Sequence, residues 1–210
     1  MRKIKSKAIA AILLMCVLCQ GVTGCDNTEG NKIVENNQEV KETKASSDAA
    51  ETTDDKKSKD DIITFSGKDI EGNDIVSATV FAENKITMVN VWATFCQPCI
   101  QELPDLEELN NSWKDKGIQI VGIVSDVADS EGNYDKTYWD LGKSILKENG
   151  VTYKNIICDI STFWDKVNLD AVPTTFFVDK NGKLVGKVQV GSVSKEEYTV
   201  LAEEALGMVQ

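Results

Sequence analysis

Two cysteines three residues apart, Cys96 and Cys99, enclose Gln97 and Pro98. They follow a nearly continuous apolar and β-branched run, Ile86 to Trp92, and precede a stretch in which Leu103, Leu106, Leu109 and Trp113 recur every three to four positions between acids. That change of period reads as a buried strand running into an amphipathic helix. Cys96 then sits at a helix N-terminus, where unpaired backbone N–H groups and the positive end of the dipole lower a thiol pKa, in motifs of this type to roughly 3.5–7.5. A thiolate there attacks disulfides, and Cys99, one turn on and more buried, resolves the mixed disulfide. On residues alone two other uses of the pair stay open. Half a zinc site would need two more ligands, against no His and a solitary Cys158, and a structural disulfide closing so short a loop would remove little chain entropy.

Composition narrows the remaining chemistry. The 210 residues contain no His, which removes Ser-His-Asp and Cys-His catalysis and His-based metal sites together. Acids outnumber bases 34 to 23, so no nucleic-acid partner is expected, since phosphate binding needs clustered Lys and Arg. No metal is expected, and no cofactor other than the Cys96–Cys99 disulfide itself.

The N-terminus reads as an address. Arg2, Lys3, Lys5 and Lys7 precede Ala8 to Leu18, an apolar run too short to span a bilayer. Val22-Thr23-Gly24-Cys25 follows and is similar to the lipobox of bacterial lipoproteins, which implies cleavage before Cys25 and acylation of its sulfur; a plain secretory signal is the alternative. Residues 1–24 are therefore expected to be a signal peptide and Cys25 an anchor in the lipid bilayer, with the body outside the cytoplasm. Removing the four cations of residues 1–24 from the 23 leaves 19 bases against 34 acids, a net charge of −15 that anionic headgroups repel. From residue 25 to about 60 there is no aromatic and no period, so this segment reads as a flexible tether spanning roughly 30–35 Å.

Residues 61–210 read as one folded α/β domain of a size that needs no covalent staple. Ile62 to Phe65 and Ile75-Val76 read as a short hairpin around a Gly72-Asn73 pair supplying positive φ. Buried strands are expected at 118–124 and 156–158, helices at 135–149 and 195–206, and a hairpin of 174–178 with 183–190 around Asp179-Lys180-Asn181-Gly182. This order predicts a central mixed sheet with helices on both faces. Trp92 and Phe95 flank the thiols and, with Gln97 and Pro98, are expected to bind substrate through an apolar docking surface, core packing being the alternative for Trp92. Tyr134, Tyr138 and Trp139 read more readily as helix packing than as a partner surface, and Cys158 as a small buried hydrophobe.

Val91 to Cys99, with Val172-Pro173-Thr174 before a strand, resembles the thioredoxin fold. Cys99-Ile100-Gln101-Glu102-Leu103-Pro104 is similar to the membrane-anchored TlpA/ResA-like thiol-disulfide oxidoreductases. The similarity covers about 61–207 and departs from the family in Phe95, where Trp is usual, and in a longer stretch between Ser125 and Tyr153. It implies a thioredoxin-like domain with an N-terminal β-hairpin extension. Pro173 would be a cis proline facing the sulfurs, Val172 would offer its backbone to substrate, and Glu102 would manage the protons of Cys99. Asn90 takes the place of a buried Asp in thioredoxins proper. The resemblance further implies a reductase of exported protein disulfides fed by a membrane electron donor of the CcdA type; a monomer is expected, and the Lys, Asn and Ile usage favours a Gram-positive surface over a periplasmic leaflet. Apocytochromes, an exported methionine sulfoxide reductase or misoxidised cell-wall proteins would be its substrates. A disulfide donor on the same fold and a non-catalytic solute- or metal-binding lipoprotein are the competing readings.

Overall fold

The computed structural model describes residues 62–209. The expected signal peptide, Cys25 and the tether lie outside the described residues.

The chain opens with strand β1 (Ser66–Asp69) and strand β2 (Asp74–Val76), followed by a short helix α1 (Ser77–Phe81). The first strand therefore begins four residues later than Ile62 to Phe65 led us to expect. Ile63 and Phe65 plug the core, and the Ile63 amide donates to the Gly182 carbonyl 2.8 Å away. Their hydrophobicity marked burial, not strand pairing. At the turn only Gly72 takes positive φ, 99°. Asn73 contributes instead through its side chain, whose Nδ2 donates to Asp69 Oδ2 at 2.8 Å.

Strand β3 (Ile86–Trp92) is buried over its whole length and leads into helix α2 (Gln97–Trp113). Pro104 lies inside α2 without ending it; the helix passes through a 3-10 turn and stops at Gly117, φ 78°. Strand β4 (Ile118–Val124), helix α3 (Lys136–Glu148) and strand β5 (Asn155–Cys158) follow close to their expected bounds. Asp135 caps α3, its carboxylate accepting from the amides of Thr137 and Tyr138. A short helix α4 (Trp164–Val167), which no periodicity announced, precedes strand β6 (Thr174–Asp179) and strand β7 (Leu184–Val190). Asp179 stitches their turn by accepting from the amides of Asn181 and Lys183, with Gly182 at φ 83°. Helix α5 (Lys195–Gly207) completes the described chain.

The seven strands form one mixed sheet in the order β2-β1-β5-β4-β3-β6-β7. β3 runs parallel to β4 and antiparallel to β6, so the strand feeding the cysteines is central. Alternation along β3 divides the core. Met88 and Trp92 face α2, α3 and α5, whereas Val89 and Val91 face α1 and α4. The long stretch between Ser125 and Tyr153 is thereby explained: it carries α3 and delivers β5 to the side of β4, and β1 then pairs antiparallel with β5. The expected hairpin extension is this added edge.

Gly67 shows how tightly that edge is applied. It faces Cys158 across the ladder, and a Cβ on it would lie 2.2 Å from the Ile157 carbonyl oxygen. Gly67→Ala is expected to cost about 1–3 kcal/mol, since backbone on both sides must move. Urea unfolding should show a lowered midpoint at unchanged slope; an unchanged midpoint would mean that the hairpin floats free of β5.

Candidate active site

The turn Ala93 to Phe95 carries the chain from buried β3 to exposed ground. Asp126, beyond β4, holds it by accepting from the Thr94 amide at 3.0 Å and the Thr94 hydroxyl at 2.6 Å. Cys96 is the N-cap residue of α2, with extended φ −87° and ψ 99°, and Pro98 in the first turn suits a position whose amide has no helical partner. Cys96 Sγ accepts from the Cys99 amide at 3.3 Å. Cys96 and Cys99 are joined as a disulfide, Cα atoms 5.3 Å apart. A helix N-terminus and its first free amides are the surroundings that favour a thiolate over a thiol. Cys96 retains 6% exposure and Cys99 none, so an incoming disulfide meets Cys96 first.

On the other side of the sulfurs the Val172–Pro173 peptide is cis, and the Val172 carbonyl oxygen lies 3.5 Å from Cys96 Sγ. Phe95 is 72% exposed, Gln97 and Pro98 are exposed, and Val172 is half-buried; these four form the open ground around Cys96. Trp92 does not join them. It was expected at the docking surface, but strand alternation turns it inward to full burial, where its Nε1 donates to Asn155 Oδ1 at 3.0 Å. Tyr134 and Tyr138 remain partly exposed, while Trp139 packs inward and donates from Nε1 to the Ile70 carbonyl. Cys158 is a buried free thiol pushed up to about 12 by burial, which keeps it protonated and inert.

Glu102 stands one turn beyond Cys99 on the buried face of α2. Its Oε1 accepts from Asn90 Nδ2 at 2.9 Å and its Oε2 from the Tyr198 hydroxyl at 2.9 Å. Burial raises its pKa above the usual carboxylate range, against the opposing hydrogen bonds of Ser192, Asn90 and Tyr198. Nothing in the sequence marks Tyr198 and Thr175 as parts of this site. Tyr198 lies among Glu and Ala on an amphipathic helix, and no local signal announces that it reaches a carboxyl 96 positions away. Among the described residues no group of His, Cys, Asp and Glu is placed to hold a metal ion.

The profile of the AhpC/TSA family matches residues 59–187. The thiol-disulfide oxidoreductase ResA of Bacillus cereus is 31% identical over 137 residues, which cover 65% of this chain and 68% of that protein. A ResA of Bacillus thuringiensis aligns at 26% identity over 92% of this chain and 93% of its own. Among solved structures, a thioredoxin-family thiol:disulfide interchange protein of Chlorobium tepidum superimposes with a TM-score of 0.54 at 27% identity, covering 69% of this chain and 94% of that one. With the Cys96–Cys99 disulfide at the N-terminus of α2, Cys96 slightly exposed and Cys99 buried, the chain belongs to the AhpC/TSA family, as a thiol-disulfide oxidoreductase on a thioredoxin-like fold.

Proposed function

We propose that this protein is a lipid-anchored, extracytoplasmic reductase of disulfides in exported proteins. The observation that carries the chemistry is the Cys96 sulfur, capped by the Cys99 amide, slightly exposed and 3.5 Å from the Val172 carbonyl. A substrate strand laid along Val172 would present its disulfide to that sulfur. The Cys96 thiolate attacks one substrate sulfur, forming a mixed disulfide, and the other substrate sulfur leaves as a thiolate that water protonates. Cys99 then gives its proton to the Glu102 carboxylate and attacks Cys96 Sγ, expelling the first substrate sulfur as a thiolate, which is protonated by water as Glu102 returns its proton to water. Two electrons pass to the substrate, and the protein is left with the Cys96–Cys99 disulfide.

The address rests on residues 1–60: a signal peptide over 1–24, acylation of Cys25 and a tether to about 60. Its support is the lipobox-like Val22-Thr23-Gly24-Cys25. Such an anchor on a flexible tether suits a protein that serves several exported partners and is recharged by a membrane thiol donor of the CcdA type.

Direction is tested by the reduction potential of the pair, measured on the full-length chain in thiol buffers and read by alkylation and mass. A value at or below roughly −230 mV is expected for a reductase. One near roughly −120 mV would make it a disulfide donor.

A further inference from the structure

The Glu102 carboxyl is held by side chains outside the thiol pair. Asn90 comes from β3 and Tyr198 from α5, and the second Asn90 Nδ2 hydrogen goes to Thr175 Oγ1 at 3.1 Å, two residues beyond Pro173 on β6. One buried carboxyl thus gathers the active-site helix, the central strand and the C-terminal helix. No cation reaches it among the described residues. The nearest ion pairs between α2 and α5 run outside, from Lys195 to Asp105 and Glu108. The groups that act on Glu102 are Asp105 on α2, the Ser192 hydroxyl ahead of α5, Tyr198 from α5, the buried Tyr153 phenol from the segment before β5, and Asn90 from β3, which Thr175 of β6 holds in turn; Cys99 lies one turn back on the same buried face of α2. Burial and the Asp105 charge disfavour the ionised carboxyl, and the neutral donors Ser192, Asn90 and Tyr198 oppose them.

We propose that Tyr198 is a positioning residue for the exchange reaction: its hydroxyl, 2.9 Å from Glu102 Oε2, orients the carboxylate and favours its ionised form, so that Glu102 can take the Cys99 proton. This rests on the reading of Glu102 given above. Asn90 donates to one carboxyl oxygen at 2.9 Å and Tyr198 to the other at 2.9 Å. The phenol stays a donor throughout the working range, because burial and the neighbouring carboxyl hold its pKa above the usual tyrosine value. Its ring is fully buried against the sheet, so Tyr198→Phe removes the hydroxyl and keeps the shape.

The test is the pH dependence of disulfide exchange by the full-length chain, measured for the wild type, Tyr198→Phe and Glu102→Gln. Losing a donor to the charged form raises the Glu102 pKa, so the rising limb in Tyr198→Phe moves to higher pH by about one unit. At a fixed pH on that limb the rate falls about tenfold. A fluorinated tyrosine at position 198 keeps the O–H but strengthens it as a donor, and the limb then moves to lower pH. This second variant preserves the fold if Tyr198→Phe does not. A limb abolished by Glu102→Gln yet unmoved by either change at 198 overturns the role of Tyr198 and leaves that of Glu102 standing. A limb that survives Glu102→Gln overturns both. A role in packing alone would lower the rate equally at every pH.

Discussion

Cys96→Ser is expected to lose all turnover in a disulfide-reduction assay, a fall of order 10³-fold or more, to the background of the reductant. A serine hydroxyl is not ionised by a helix N-terminus and forms no mixed disulfide. Cys99→Ser fails differently. The first attack needs only Cys96, its capping amide and access, all of which remain when a serine backbone replaces Cys99. Release needs the Cys99 sulfur, so Cys99→Ser accumulates a covalent adduct with substrate, visible by mass and removed by added thiol. The inequality in exposure, 6% for Cys96 and none for Cys99, makes the two variants non-equivalent. An adduct on Cys96→Ser instead would reverse the assigned order, and undiminished turnover in Cys96→Ser would remove the pair from the mechanism.

The second large effect lies away from the sulfurs. Gly122 sits in β4 between Asn90 of β3 and Asn155 of β5. A Cβ on it would lie 2.0 Å from Asn155 Oδ1 and 3.2 Å from Trp92 Nε1. Asn155 has no room to swing aside: it is buried, accepts from Trp92 Nε1 at 3.0 Å and donates to the Tyr153 carbonyl at 3.1 Å. Gly122→Ala must push the amide away and strand the Trp92 N–H. Overpacking at about 1–3 kcal/mol and an orphaned buried donor at about 1–3 kcal/mol together cost roughly 3–5 kcal/mol. For a domain of this size that lowers Tm by roughly 10–15 °C. A thermal scan shifted by less than about 2 °C would show that the Asn155 amide is not fixed as described. Trp92 ends the strand that carries the active-site turn, so exchange activity should fall with stability.

These expectations differ in how far the sequence could reach. The Cys96–Cys99 pair, the buried runs at 86–92 and 118–124, the stop at Gly117 and the turn at 179–182 were all legible, because each depends on residues within a few positions of one another. Capping, period and turn chemistry are local. The start of the first hairpin was misplaced because Ile63 and Phe65 are apolar for the sake of the core, and local pattern does not separate burial from pairing. Trp92 was misassigned for a related reason, adjacency to a reactive thiol saying nothing about which face of the sheet a side chain takes.

By itself, the sequence determined the cysteine pair that carries the redox chemistry and the class of fold that presents it. Only the tertiary structure decided what surrounds the sulfurs. Val172 meets Cys96 across 76 positions, Asn90 meets Thr175 across 85, and Tyr198 meets Glu102 across 96. Such contacts exist because a mixed sheet brings β3, β6 and α5 together, and their strength comes from burial, which makes each unpaired polar group costly and each hydrogen bond specific.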